Sequence, residues 1–351
     1  MRALTVLPGE PGTLAVEDVP DPPPEAGSVL VRGRLVGLCG TDREIAEGAY
    51  GEAPAGRRKL VIGHEALGEV REAPAGSGFE PGDLVVGIVR RPDPVPCAAC
   101  AAGEWDMCRN DLYTERGIVR ADGYASEYWR LEPEYTVPVP ARLGELGVLL
   151  EPASVLAKAW EQVDRISKRA YFPAGGDGRA LVTGAGPIGL LACLLGGQRG
   201  YQVHVVDLAR GGPKEDLVRA LGAHYHAGEA EAIGVDVDVV IECTGIGSVG
   251  RSAAQRLFHG GIMCLTGIMN LGRKLDVDAT TMNRLMVLRN QVLFGSVNAG
   301  RRHWEQAGAA LAAADPAWLG AMITRRLPLD RWPEAFDRQP DDIKVVLDLT
   351  A

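Results

Sequence analysis

A glycine-rich loop, "LVTGAGPIG", leaves this chain few choices of fold. A β-like run ends at Gly184, Gly186 and Gly189 in G-x-G-x-x-G order, and an apolar helix-like segment follows. Asp207 closes the next strand-like run, 18 residues past Gly189. Glycine supplies 45 of the 351 residues, so the triplet alone is weak; strand, helix and acid in register give it weight. Gly184 permits a tight turn, Gly186 lets backbone approach a pyrophosphate, and Gly189 allows close helix–strand packing. Together with Pro187 and Ile188 they open a helix whose unpaired N–H groups and positive dipole end suit phosphate. Asp207 favours NAD over NADP, because a carboxylate accepts from ribose hydroxyls and repels a 2′-phosphate. Arg210, three residues on, argues the other way if it reaches a phosphate, and is otherwise a solvated loop charge.

The loop sits in a strict alternation. Strand-like "RALVTG", "QVHVVD", "VDVVIECTG" and "GGIMCLTG" are separated by helix-like "PIGLLACLLGGQRG", "PKEDLVRALGA" and "VGRSAAQRLF", with "QVLFGSVN" as a late strand. Buried strands spaced by helices imply a parallel sheet covered on both faces. Ahead of them, "EPASVLAKAWEQVDRISK" places Val155, Ala159, Val163 and Ile166 on one helical face. Up to about residue 140 the pattern differs. "SVLVRGRLVGL", "ALGEVREA" and "DLVVGIVR" are β-like, and turn-rich segments such as "DPPPEAG" divide them. The fold class is α/β: an irregular, mostly-β domain and a doubly wound parallel-sheet domain.

Lys+Arg 37 against Asp+Glu 46 leaves a net charge of -9, which disfavours nucleic acid and anionic membrane as partners. No secretory signal pattern precedes Pro8-Gly9, and no apolar stretch is long and unbroken enough for a membrane span. A cytoplasmic location is expected. In that setting the seven cysteines favour metal ligation or burial over a disulfide framework.

Three residues stand out as metal donors: Cys39 in "VGLCGTDREI", His64 in "VIGHEALG" and Glu151 in "LLEPAS". Each sits at a strand or helix end beside a glycine or proline turn, and together they offer S, N and O. A zinc with one open position uses such a set. Glu65 adjoins His64. A second group, Cys97, Cys100 and Cys108, has C-x2-C then x7-C spacing and suggests a structural zinc one ligand short; Asp93 is the nearest candidate fourth donor. The alternative there is a metal-free loop of free thiols. His224 and His226 could pair on one strand face but lack a further ligand nearby in sequence. Cys193, Cys243, Cys264, Met282 and Met286 read as packing.

These motifs together resemble the zinc-dependent medium-chain dehydrogenase/reductase superfamily, and within it the archaeal-type glucose 1-dehydrogenases. "GLCGTDREI", "GEAPAG", "LVIGHEALG", "TERGIVRADGYASEYW" and "VLRNQVLFGSVNAG" carry the narrower likeness. The resemblance implies a GroES-like catalytic domain over 1–155, completed by 300–351, and a Rossmann NAD-binding domain over 156–299. It implies that Cys39, His64 and Glu151 hold the catalytic zinc with Glu65 or a water exchanging, and that Thr41 relays the substrate proton. It places Glu115 and Asn298 against sugar hydroxyls, and implies a homodimer or homotetramer. Two departures accompany it. The cysteine group has lost its first member, near Asp93, and "DLA" replaces the basic residues that usually take NADP. The expected reaction is hydride transfer from a sugar hydroxyl, of an aldose such as glucose, to NAD. Another polyol, aminocyclitol or biosynthetic alcohol is the alternative substrate. A zinc-free reductase and a nonenzymatic NAD- and zinc-binding sensor are the rival readings.

Overall fold

The long strand β1 (Val29–Leu38) alternates buried and open positions at its start and becomes continuously buried from Leu35 onward. It is the strand that carries the chain from the sheet surface into the core and delivers Cys39. The computed structural model describes residues 1–169, 171–173, 177–268 and 279–351, apart from the side chains of Glu231, Ala232 and Thr281. Antiparallel partners follow: β2 (Glu65–Glu72), β3 (Leu84–Gly87), β4 (Tyr128–Leu131) and β5 (Thr136–Pro138). A short helix, α1 (Gly40–Ala46), starts where β1 stops, and the longer α2 (Leu150–Ser167) starts beside Glu151.

The next segment builds a parallel sheet from β6 (Arg179–Thr183), β7 (Gln202–Asp207), β8 (His224–Ala227), β9 (Val237–Glu242), β10 (Leu257–Leu265) and β11 (Val292–Gly295). Its order is β8-β7-β6-β9-β10-β11, which reverses direction between β6 and β9. That is the doubly wound arrangement, in which ligands bind outside the carboxyl ends of the strands at the reversal. The intervening helices are α3 (Pro187–Gln198), α4 (Pro213–Ala220), α5 (Gly247–Gln255) and α6 (Ala279–Leu288). Every residue of α3 from Gly189 to Gly196 is buried, as expected of a helix that is apolar all round. Gly196 leaves room for the Trp160 ring, whose Nε1 donates to the Ala192 carbonyl at 3.1 Å. On the other face Leu181, Val206, Val240 and Met263 pack with Ala253 and Leu257.

The C-terminal segment adds α7 (Arg301–Ala313), α8 (Pro316–Met322), β12 (Ile323–Pro328) and β13 (Lys344–Asp348). β13 pairs antiparallel with β1 and parallel with β12, so the two ends of the chain share a seven-stranded sheet ordered β5-β3-β2-β1-β13-β12, with β4 on β1. Two units result: Met1–Ser154 with Asn298–Ala351, and Val155–Val297. Among the described residues, no helix is long and apolar enough to cross a membrane. One packing expectation fails. Met282 is 44% exposed and lines an open apolar cavity with Ile246, Leu257 and Met263.

Candidate active site

β1 ends and α1 begins at Cys39, and this junction organises the first site. Extended backbone at Cys39 makes it the helix N-cap; its Sγ accepts the Thr41 N–H at 3.2 Å, and Asp42 returns a carboxylate oxygen to the Cys39 N–H at 2.9 Å. Register then brings in the partner strand. Gly37 on β1 faces Glu65 on β2, and a Cβ at Gly37 would lie 2.2 Å from a Glu65 carboxylate oxygen. Glycine at 37 thus gives the Glu65 side chain its place. Cys39 Sγ and His64 Nε2 approach to 3.2 Å, and donor atoms of Cys39, His64 and Glu65 all lie within 4.8 Å of one another.

Those residues fit zinc by donor type and by spacing. A tetrahedral ion with ordinary bond lengths sets its sulfur and imidazole nitrogen roughly 3.5 Å apart, a few tenths of an ångström from the distance between Cys39 and His64. Glu151 stands outside the tight group of three, although His64, Glu65, Lys344 and Asp42 all act on it electrostatically. Burial, the largest influence, pushes its carboxyl up to about 7. The other side of His64 meets Asp42, Nδ1 to Oδ1 at 3.4 Å, an ion-pair separation longer than a good hydrogen bond. A carboxylate behind a ligating imidazole fixes the tautomer and ring orientation. Burial pushes Asp42 up, but His64, the Cys39 N–H and Lys344 outweigh it and hold the carboxyl below its ordinary value.

Lys344 completes the surroundings. It is 1% exposed, donates to Glu65 Oε1 at 2.7 Å and to the other oxygen as well, and reaches the Leu38 carbonyl at 3.3 Å. Burial disfavours its charge, yet Glu65, Cys39 and Glu151 raise its pKa above the ordinary lysine value.

A second polar group lies in the same unit. Glu115, 5% exposed, accepts at Oε1 from Arg90 Nε (3.0 Å), Arg90 Nη2 (2.9 Å) and Asn298 Nδ2 (2.8 Å). Tyr113 covers the Arg90 guanidinium, 3.7 Å from the ring centroid. Asn298 has φ of 60°, the left-handed region that asparagine tolerates better than most residues. The two residues expected to meet a sugar are therefore bonded to each other, with Arg90 holding Glu115.

The cysteine loop forms a third group. Cys97, Cys100 and Cys108 do converge, with donor atoms within 4.8 Å, but Asp93 is not among them. One Asp93 oxygen accepts the Val95 N–H at 3.1 Å, an Asx-turn bond, and the other accepts Asn110 Nδ2 at 2.6 Å. Its carboxylate shapes the turn, and Asp93 stands outside the group of three thiols. Backbone N–H groups, that of Cys100 first, hold the Cys97 thiol down to about 7, near the ionised form that metals bind.

In the parallel-sheet unit, Gly184 has φ of 83°, and a Cβ on Gly189 would stand 1.8 Å from the Gly184 carbonyl oxygen. Gly186 caps α3, followed by Pro187 and Ile188; no side chain bonds to that helix end, and nothing lies within 4 Å of a Cβ built on Gly186. Open space over bare backbone suits a pyrophosphate. Asp207 reaches back to this loop, accepting the Ala185 N–H at 2.7 Å and the Ala209 N–H at 2.9 Å, while Arg210 is exposed.

Sequence reasoning passed over Asp42, Lys344 and Arg90. Asp42 had a signal, an acid at the third position of a helix capped by Cys39. Lys344 had a faint one, a lone cation inside "IKVVLDL". Arg90 had none.

The two-unit fold and the S, N and O donors define a zinc-dependent medium-chain dehydrogenase. Residues 25–141 match the alcohol dehydrogenase GroES-like domain and residues 144–349 the glucose dehydrogenase C-terminus. The chain belongs to the glucose dehydrogenase family. It is 39% identical to glucose 1-dehydrogenase of Methanocella arvoryzae, covering 100% of both chains, and 40% identical to that of Thermoproteus tenax, covering 99% of both. Among solved structures, Haloferax mediterranei glucose dehydrogenase in complex with NADP, Zn and gluconolactone superposes with a TM-score of 0.90 at 33% identity, over 100% of each chain.

Proposed function

We propose that this enzyme oxidises the anomeric hydroxyl of an aldose such as glucose to the lactone, with NAD as hydride acceptor. The carrying observation is the convergence of Cys39, His64 and Glu65 in a chain of this family. Relatives named glucose 1-dehydrogenase, and the neighbour bound to gluconolactone, support the substrate. Overall, the carbon-bound hydrogen leaves as hydride to the nicotinamide, the hydroxyl proton goes to solvent, and the C–O bond becomes C=O.

Cys39, His64 and Glu151 would hold the zinc, with Glu65 exchanging as a further ligand. When bound, the metal supplies Lewis-acid stabilisation of developing negative charge on the substrate oxygen. Thr41, the second residue of α1 and two past Cys39, would take the proton from the reacting hydroxyl toward solvent. Asp42 sets the His64 ring. Lys344 holds the Glu65 carboxylate toward β13, so Glu65 would reach a bound ion only by loosening its bond to this ammonium. Glu115 gives Oε1 to Arg90 and Asn298, leaving Oε2 to accept from a sugar hydroxyl. Such fixed acceptors suit a ligand with many hydroxyls and orient it before reaction.

For the dinucleotide, Gly184, Gly186 and Gly189 with Pro187 and Ile188 would cradle the pyrophosphate, and Asp207 would accept from the ribose hydroxyls. The Haloferax neighbour is a complex with NADP, which makes coenzyme choice the sharpest point of this reading. Asp207 is the ground for NAD here, and Arg210 lies exposed nearby. The test is kcat/KM on a panel of aldoses and polyols with each coenzyme. NAD-dependent lactone formation from an aldose, with Asp207→Ala narrowing the preference, is expected. A higher kcat/KM with NADP, or activity confined to simple alcohols, would overturn it.

A further inference from the structure

Glu242 is an acid only 3% exposed at the carboxyl end of β9, and no step proposed above uses it. Its register partners are Thr183, the last residue of β6, and Leu265, the last of β10. Three strand ends therefore meet around this residue, where the sheet order reverses between β6 and β9. Oε1 accepts from Thr183 Oγ1 at 3.2 Å, from the Thr244 N–H at 2.8 Å and from the Thr244 hydroxyl, while Oε2 accepts the Gly245 N–H at 3.2 Å. Its backbone carbonyl accepts the N–H groups of Thr266 and Gly267 at 2.9 and 3.1 Å. The turn it holds touches the glycine loop, since a Cβ on Gly184 would stand 3.0 Å from Thr244 Cγ2.

Every one of these donors is neutral. Hydroxyls and backbone N–H groups satisfy the lone pairs of a carboxylate without cancelling its charge. Among the described residues, no lysine, arginine or histidine makes an ion pair with Glu242. A buried charge without a counterion is costly to keep. In surroundings of low dielectric it also acts over several ångströms on whatever binds beside it, with little screening by water. A cation seated nearby would offset that cost.

The order of the strands says what that cation is. On the coenzyme reading above, on which this inference rests, Asp207 at the end of β7 takes the adenosine ribose, and the glycine loop after β6 takes the pyrophosphate. Continued in sheet order, the nicotinamide half falls over the ends of β9 and β10, where Glu242 lies. That ring is cationic in the oxidised coenzyme and neutral in the reduced one, so a fixed negative charge beside it tells the two apart. We propose that Glu242 selects the oxidised coenzyme, attracting the pyridinium ring of NAD⁺ and favouring release of NADH once the hydride has arrived. The same charge difference separates NADP⁺ from NADPH, so the choice between the two coenzymes leaves the inference standing. A residue that only held the turns together would support both oxidation states alike.

The test is NADH fluorescence titration of the zinc-loaded enzyme, with NAD⁺ and benzamide adenine dinucleotide as competitors. The benzamide ring has the shape of nicotinamide and no charge. Wild type should bind NAD⁺ about three- to tenfold more tightly than this neutral analogue. Glu242→Gln, which keeps the shape of the side chain and removes its charge, should erase that preference. It should also lower the affinity for NAD⁺ relative to NADH by a similar factor. Glu242→Asp, which keeps the charge, should retain the wild-type ratio of the two affinities even where both fall. Equal binding of NAD⁺ and the neutral analogue by wild type would overturn the proposal, and that comparison needs no variant to fold. So would the same NAD⁺-to-NADH ratio in wild type and Glu242→Gln. Wild type that binds neither coenzyme in either oxidation state would instead overturn the coenzyme assignment itself, and this inference with it.

Discussion

Lys344 and Glu65 are 279 residues apart in sequence and bonded in a site where each side chain is 1–2% exposed. An ammonium and a carboxylate so deep stabilise each other only as a pair, because each alone would carry an uncompensated desolvation cost. Lys344→Met should therefore cost about 3–5 kcal/mol of folding stability, read as a fall in the chemical-denaturation midpoint. It should also alter zinc retention, since the Glu65 carboxylate would be released from β13 toward Cys39 and His64. A variant as stable as the parent would show that the pair is incidental. Gly37 belongs to the same device: the space above its Cα is where the Glu65 carboxylate lies.

Two elements carry testable constraints of their own. The β6–α3 turn is built so tightly that a methyl group on Gly189 would collide with the Gly184 carbonyl oxygen, backbone that has no rotamer to give. Gly189→Ala should shift α3 off the sheet and weaken dinucleotide binding by an order of magnitude or more, read as NADH fluorescence titration. Unchanged affinity would mean the loop is not where the pyrophosphate lies. The β7–β8 edge has a pH signature. His204 is 7% exposed and its pKa in the fold is near 4, against an ordinary 6.5, so the folded state binds a proton less readily than the unfolded chain. Its contribution is complete above about pH 6.5 and is lost as pH falls toward 4, by at most about 3 kcal/mol. His204→Gln should consequently lose less stability than the parent between pH 6.5 and 4. Parallel pH profiles would remove His204 from the account.

At the scale of the whole molecule, what could be read in advance depended on whether function constrains neighbours in sequence or only in space. The doubly wound unit was legible because strand, glycine loop, helix and Asp207 are contiguous, and each glycine answers a backbone demand. Cys39 and His64 stood out by their turns and by family likeness. Lys344 did not, because its partner arrives through β13 pairing with β1 far along the chain. Asp93 stood out as an acid near three thiols, whereas the Asx turn that Asp93-Pro94-Val95 closes through that carboxylate was not legible. The central claim is that a zinc held around Cys39 and His64 is required for sugar oxidation. Zinc content and glucose-dependent NADH formation should be measured together on wild type and Cys39→Ser, before and after chelation and zinc readdition. Expected are activity lost with the metal and regained with it in wild type, and Cys39→Ser inactive with one zinc fewer while still folded. Full turnover by metal-free protein, or unchanged zinc and activity in Cys39→Ser, would contradict the account.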